Sequence, residues 1–421
     1  MSTNATPPRG LRGMFRILGP GLVVAATGVG AGDLVAAAKT GATFGLVVLW
    51  TAWIGALLKF SLAEGVARWQ LATGSTLLEG WVRTFGTPVR VLFLVYLTAW
   101  SLIVAAALMA ACGLAAHALI PALSVTTWGM IHALFAFVFV WFENYGRFET
   151  AMKWAVGAMF LVVLATASVQ APPLAATLAG LTIPRVPADS TILLLGVIGG
   201  IGGTLTLLSY NYWMRERGWS GPEWMRAVRF DLGAGYLLTG FFGVALILLS
   251  GVVLHPAGVR VTGSQGVLEM AGILGSKFGR PGELVFLLGF WAAVATSMLG
   301  VWQGVPYLFA DYIGLLRGKS NEELKAVVSS TGNVYRAYLF FLTIPPMAIL
   351  MLGQPVWIVV TYAAVGALFM PFLAATLLVM NNRRDTMGVL KNGWLANFGL
   401  VMCLVLFAYL SFVEIRAQLF G

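Results

Sequence analysis

The sequence predicts an all-α polytopic membrane protein: one bundle of eleven transmembrane helices, of which the first and the sixth are broken. Three observations lead to this fold class. Hydrophobic residues make up 59% of the chain and charged residues 10%, with a mean hydropathy of +0.87, against about 45–50% apolar and 25% charged in ordinary soluble domains. Apolar windows of about 20 residues, the length that crosses a bilayer, recur at 17–41, 44–64, 89–118, 124–142, 152–170, 191–214, 231–254, 281–309, 334–352, 355–380 and 394–414. The first and sixth windows are interrupted by glycine clusters, Thr27-Gly28-Val29-Gly30-Ala31-Gly32-Asp33 and Gly199-Gly200-Ile201-Gly202-Gly203-Thr204-Leu205-Thr206.

Residues 1–16 are polar and basic and read as a cytoplasmic tail; no small-residue cleavage site follows the first apolar run, so no removable signal peptide is expected. The remainder, 17–421, reads as one transporter domain, with a first repeat over 17–170, a second over 191–380 and an extra helix at 394–414. The two breaks lie five spans apart. An odd number of helices per unit turns the second unit over in the membrane, and the resulting pseudo-two-fold axis brings both breaks to mid-depth. The longest segments outside the spans, 171–190, 255–280 and 311–333, leave no room for a soluble catalytic domain. Cys112 and Cys403 lie in apolar runs and offer neither a disulfide framework nor a thiolate site.

The net charge of +10 would fit a nucleic-acid binder, but the bases are distributed as membrane orientation requires. With the N-terminus inside, nineteen Lys and Arg fall in cytoplasmic segments, six in external ones, and Lys59 inside a span. Eleven spans then leave the C-terminus outside. The predicted location is therefore the cell membrane, with the lipid bilayer as a partner and no nucleic acid.

Dense glycine lets a helix unwind and bares carbonyls that lipid cannot satisfy but a polar guest can. Asp33 adds an acid inside an apolar span, which is a functional hypothesis by default. With the carbonyls of Gly30 and Gly203 and the hydroxyl of Thr206, Asp33 makes a candidate hard-oxygen metal site; Thr204 and Gln303 are candidate substrate-binding neighbours. A residue at an outer helix end, reached by water, is the plainer reading of Asp33. Phosphate-cradling and HExxH motifs and Cys/His clusters are missing from the sequence, so neither an enzyme nor a bound cofactor is expected. His117, His132 and His255 read as interfacial. Glu64 and Arg68, four residues apart, read as an intrahelical ion pair at the cytoplasmic end, and a pair between Lys59 and Glu64 stays open. Segments 141–153, with Glu143, Arg147, Glu149 and Lys153, and 215–231 read as solvated turns.

Gly19-Pro20-Gly21, the break at 28–33, Lys39-Thr40-Gly41 and Phe44-Gly45 resemble the first helix of Nramp divalent-metal transporters, and Tyr145-Gly146-Arg147-Phe148-Glu149 and Gly202-Gly203-Thr204 continue the likeness. The segment from Leu71 to Trp81, the Glu64 region and Trp302-Gln303-Gly304 resemble the branch that includes magnesium transporters. The resemblance implies a LeuT-like fold with a five-plus-five inverted repeat and alternating access, with a divalent cation as transported substrate. It also exposes departures. Where the family carries Asp-Pro-Gly-Asn, this chain has Gly30-Ala31-Gly32-Asp33; where it carries a metal-binding methionine in helix six, this chain has Thr206; and the family histidines fall at Leu208 and Trp213. Loss of the soft sulfur shifts the expected selectivity toward Mg²⁺ or Mn²⁺, and loss of the histidines and of acids within 89–118 argues against proton coupling. Two alternatives stay open: a LeuT-like carrier of a small organic substrate with no metal site, and a membrane sensor, which the shortness of the extramembrane segments disfavours.

Overall fold

The computed structural model describes residues 6–8, 10–142, 144–169, 172–258, 261, 265–318, 328–352 and 355–420, and among them every regular element is helical. The helices are α1 (Gly10–Ile17), α2 (Pro20–Gly28), α3 (Ala31–Phe44), α4 (Trp50–Thr73), α5 (Leu77–Phe85), α6 (Thr87–Leu119), α7 (Val125–Phe142), α8 (Tyr145–Val169), α9 (Leu174–Thr182), α10 (Thr191–Gly200), α11 (Ser209–Glu216) and α12 (Met225–Val253). They are followed by α13 (Gln265–Leu316), interrupted at Gly279, then α14 (Asn333–Thr343), α15 (Pro345–Leu350), α16 (Pro355–Met380), α17 (Arg384–Met387) and α18 (Trp394–Phe420). Helices occupy each of the eleven expected windows. By length and hydropathy, however, seven of them qualify as membrane spans among the described residues, or eight when α2 and the segment from Gly32 to Val48 count as one span bent by 60°.

The windows that fall short have physical reasons. Helix α4 carries Lys59, Glu64 and Arg68, all buried within the protein, where other helices and not lipid surround them. The ninth window is split by Pro345 and Pro346 into α14 and α15, because proline cannot donate to the preceding turn. Towards lipid the bundle presents large apolar side chains, such as Phe135, Phe142, Trp154, Leu161 and Phe412, each more than 60% exposed. Such a belt has no aqueous explanation and is the face that meets acyl chains.

Helices α2, α3 and α4 of the first half pack on α12 of the second, and α13 packs on α2, α6 and α8. At the contact of α2 with α12 the backbones meet without intervening side chains: a Cβ on Gly21 would lie 2.1 Å from the Asp231 carbonyl oxygen, and one on Gly235 would lie 2.1 Å from the Gly21 carbonyl oxygen. Asp231 uses this closeness. Its carboxylate accepts from the N–H groups of Gly19 (2.9 Å) and Gly21 (2.6 Å) and from the Tyr210 hydroxyl (2.9 Å), which satisfies the orphan donors at the start of α2.

The segments expected to be solvated turns are so in part: Arg147, Glu216, Glu223 and Arg226 are exposed, but other members are buried. Glu149, 3% exposed, pairs with Lys153 at 2.5 Å and lies 3.7 Å from Arg217; Asp231 is fully buried, as are Trp219 and Trp224 nearly so. Charge near a span end implies water, and most of these charges meet it; Glu149 and Asp231 are enclosed with partners where the chain folds back. Glu143, Lys319 and Lys325 lie outside the described residues. Glu64 behaves as expected: it is paired with Arg68 and also accepts from Arg229 Nε at 2.8 Å.

Replacing Gly235 by leucine forces two backbones apart and is expected to destabilise the fold by roughly 1–3 kcal/mol, read as a lower melting temperature in detergent. Gly157→Leu, where a Cβ meets nothing within 4 Å, leaves the melting temperature unchanged.

Candidate functional site

Both glycine clusters break their helices. In the first, α2 ends at Gly28, Val29 (φ −100°, ψ 78°) leaves the helix, and α3 restarts after an extended Gly30. In the second, α10 ends at Gly200, Gly202 and Gly203 take φ of +94° and +81°, and the chain re-enters through a 3₁₀ turn, Leu205–Leu208, before α11. A left-handed pair of this kind costs an L side chain about 1–2 kcal/mol per residue, so glycine is required.

The two breaks touch. A Cβ on Gly28 would lie 2.8 Å from the Gly202 carbonyl carbon, and one on Gly203 would lie 3.4 Å from Gly28 Cα. Between them is a cavity of about 10 Å³, space for about one water molecule, lined among others by Gly28, Asp33, Gly202, Thr239, Phe242 and Leu246.

Asp33 stands in this cavity, half-buried, at the N-terminus of α3. Its Oδ2 accepts from the Gly30 N–H at 3.0 Å, and its Oδ1 faces α10, 3.0 Å from where a Gly200 Cβ would be. It therefore caps its own helix while directing an oxygen at the second break.

The open pair of Lys59 with Glu64 does not form among the described residues, since Glu64 pairs with Arg68 and Arg229, and Lys59 is instead a cation of the site. It is completely buried, and its ammonium donates to the Gly203 carbonyl, the main-chain oxygen expected to hold a metal. Met370 Sδ at 3.6 Å and the Phe407 ring, whose centroid lies 5.2 Å away, are among its neighbours. Its charge interacts with that of Asp33, and among the described residues the two make no direct ion pair. Ser297 does for the first break what Lys59 does for the second: its hydroxyl donates to the freed Thr27 carbonyl at 2.8 Å. Both residues carried a legible signal, a base and a hydroxyl inside apolar spans, but nothing in the sequence told which helix each would meet.

The remaining candidates sit as follows. Thr206 is buried beside the break, its Oγ1 2.8 Å from a Cβ placed on Gly203. The Thr204 hydroxyl is buried with no hydrogen-bond partner among the described residues and faces Gly366 on α16. Gln303 is elsewhere: its Oε1 accepts from Trp213 Nε1 at 2.6 Å, its carbonyl accepts from the Tyr335 hydroxyl, and it lines a second small cavity with Tyr145 and Phe148. Among the described residues no three His, Cys, Asp or Glu side chains come together as a metal-ligand group. His117, His132 and His255 each engage a nearby backbone carbonyl, of Leu123, Trp128 and Ala42 respectively.

A family model described as "Natural resistance-associated macrophage protein-like" (Nramp) matches residues 21–415. The chain belongs to the Nramp family. Its members are transporters and not enzymes. Among Nramp relatives, the divalent metal cation transporter MntH of Pectobacterium carotovorum is 22% identical over 404 residues, 92% of each chain. An uncharacterized membrane protein of Bacillus subtilis, YcsG, is 23% identical over 284 residues, which span 66% of this chain and 65% of that protein. A crystal structure of an Eremococcus coleocola manganese transporter mutant superposes with a TM-score of 0.78 at 15% identity, covering 99% of this chain and 90% of that one. The likeness extends at a TM-score of 0.50 to MhsT in complex with L-phenylalanine, at 12% identity. These superpositions establish the LeuT-like fold that the family resemblance implies.

Gly203→Ala places a Cβ 2.8 Å from Thr206 Oγ1 at φ +81°, and is expected to lower stability by about 1–2 kcal/mol. Gly196→Ala, on α10 where a Cβ meets nothing within 4 Å, does not; thermal unfolding of the two purified variants checks the difference.

Proposed function

We propose that this Nramp-family chain is a secondary transporter that moves a divalent cation by alternating access, and that the cation binds where the two breaks meet. The observation that carries the reading is the position of Asp33, a carboxylate aimed from one broken helix at the other across a small cavity. Names of relatives point the same way, since two of them are divalent metal cation transporters from Pectobacterium and Erwinia.

The finer reading is a preference for Mg²⁺ or Mn²⁺. The ligands on offer are hard oxygens, from Asp33, the Gly30 and Gly203 carbonyls and Thr206, and no methionine sulfur takes the Thr206 position. Magnesium keeps several waters when bound, so few protein ligands suffice. An inside-negative potential drives a divalent ion inward with about 4.6 kcal/mol at 100 mV, and on this reading uptake proceeds without proton exchange. The membrane is the cell membrane, with the N-terminus cytoplasmic and the C-terminus outside, in keeping with nineteen bases on one side and six on the other.

One observation favours a second reading, a carrier of a small organic substrate with no metal site. The Lys59 ammonium stands on the Gly203 carbonyl, and a divalent ion 4 Å from a fixed ammonium is opposed by roughly 8 kcal/mol at an effective dielectric of about 20.

Uptake of Mg²⁺ and Mn²⁺ into proteoliposomes under an inside-negative potential separates the two. The expected result is potential-driven uptake that falls at least tenfold in Asp33→Asn, with no change of lumenal pH. Metal uptake in step with lumenal acidification would remove the uncoupled mechanism, and no metal uptake at all would transfer the assignment to an organic substrate.

A further inference from the structure

We propose that Lys59 is the specificity-determining residue of the chamber: its ammonium acts as a tethered cation on the Gly203 carbonyl, and a divalent ion takes that oxygen only by displacing it. The inference rests on the preceding reading in one respect, that the cargo site lies between the two breaks.

Four observations carry it. The side chain is fully buried, so its charge has no water to shield it, and it meets a main-chain oxygen that the broken helix has freed. Met370 Sδ and the Phe407 ring beside it are soft and neutral, and among the described residues no carboxylate lies within ion-pair distance. The one acid of the chamber, Asp33, is engaged with the Gly30 N–H and faces Gly200, which leaves the chamber with one positive and one negative group held apart. Finally, Lys59 is threaded into the break itself: a Cβ on Gly202 would lie 3.3 Å from Lys59 Cβ and 2.9 Å from the ring of Tyr236, whose hydroxyl is buried with no hydrogen-bond partner among the described residues.

An ammonium and a metal ion compete for one oxygen because both need its lone pairs and because they repel each other. With the ammonium in place the Gly203 carbonyl is satisfied and the empty site is closed. When it withdraws, the same carbonyl, with Asp33 opposite, becomes available to a cation. Lysine suits this role better than arginine, being a compact charge on a flexible stem that can move without dismantling a planar set of hydrogen bonds.

Calorimetric titration of the purified full-length protein with Mn²⁺ and with Mg²⁺ tests the proposal in the wild type, in Lys59→Met and in Lys59→Met combined with Asp33→Ala. Removal of the ammonium is expected to tighten metal binding at least tenfold, and the gain is expected to vanish when Asp33 is also removed. A merely structural lysine would give weaker binding in the variant or none. Should Lys59→Met not fold, Lys59→Gln, which keeps a donor for the Gly203 carbonyl without the charge, is expected to move the affinity in the same direction. Equal or weaker affinity in the folded variant overturns the proposal, and so does the absence of binding in both proteins. A wild type that binds no metal beside a variant that does leaves Lys59 as the determinant and overturns only the metal-cargo reading.

Discussion

A helix that stops inside an apolar bundle leaves backbone donors and acceptors that lipid cannot satisfy, and each must find a partner within the protein. Most of the polar architecture described here answers that requirement. Asp33 receives the Gly30 N–H at the start of α3, Ser297 donates to the last carbonyls of α2, and Lys59 donates to Gly203 where α10 has ended. Asp231, one helix away, takes the first N–H groups of α2. The bonds that hold the breaks are thus made by side chains from α3, α4, α12 and α13, and any rearrangement of those helices exposes the same backbone groups to a guest.

Around this centre the packing divides into a firm part and a lighter one. At the basic end of the bundle, Glu64 with Arg68 and Arg229, Glu79 with Arg215, and Glu149 with Arg217 tie segments together through carboxylates that are almost wholly buried. Breaking the Glu64–Arg68 pair, buried on both sides, leaves an uncompensated charge and costs about 3–5 kcal/mol, so this contact moves as a unit. Tyr212, Tyr307 and Tyr335 add a stack of rings between α11, α13 and α14. At mid-depth the contacts are glycine against glycine, with a small cavity alongside. Rocking of one helix group on another, the motion expected of inverted-repeat carriers, meets least resistance there.

Fold and cargo separate in this protein. The fold is that of the Nramp family along nearly the whole chain, and the side chains gathered at the breaks are Asp33 from α3, Thr206 from the 3₁₀ turn after α10, and Lys59 reaching in from α4. A scaffold fixes where a guest binds, and the residues there decide which guest it is. A hydroxyl and a buried ammonium beside the breaks bear on both the softness and the net charge of the chamber.

Much of this was written in the sequence. Hydropathy determined the membrane class, glycine density located both breaks, and Asp33 was identified as the acid between them, since an isolated charge in an apolar run stands out without any coordinates. The pairing of Glu64 with Arg68 followed from helical spacing alone. What the tertiary structure decided was which polar groups face the breaks. Lys59 and Ser297 do, Gln303 points to Trp213 instead, and Glu149 and Asp231, read as solvated, are enclosed. The reason is geometric: each residue turns the side-chain direction by about 100° around the helix axis, so a small rotation or shift in depth chooses a different partner, and only the packing of all the helices together sets that rotation.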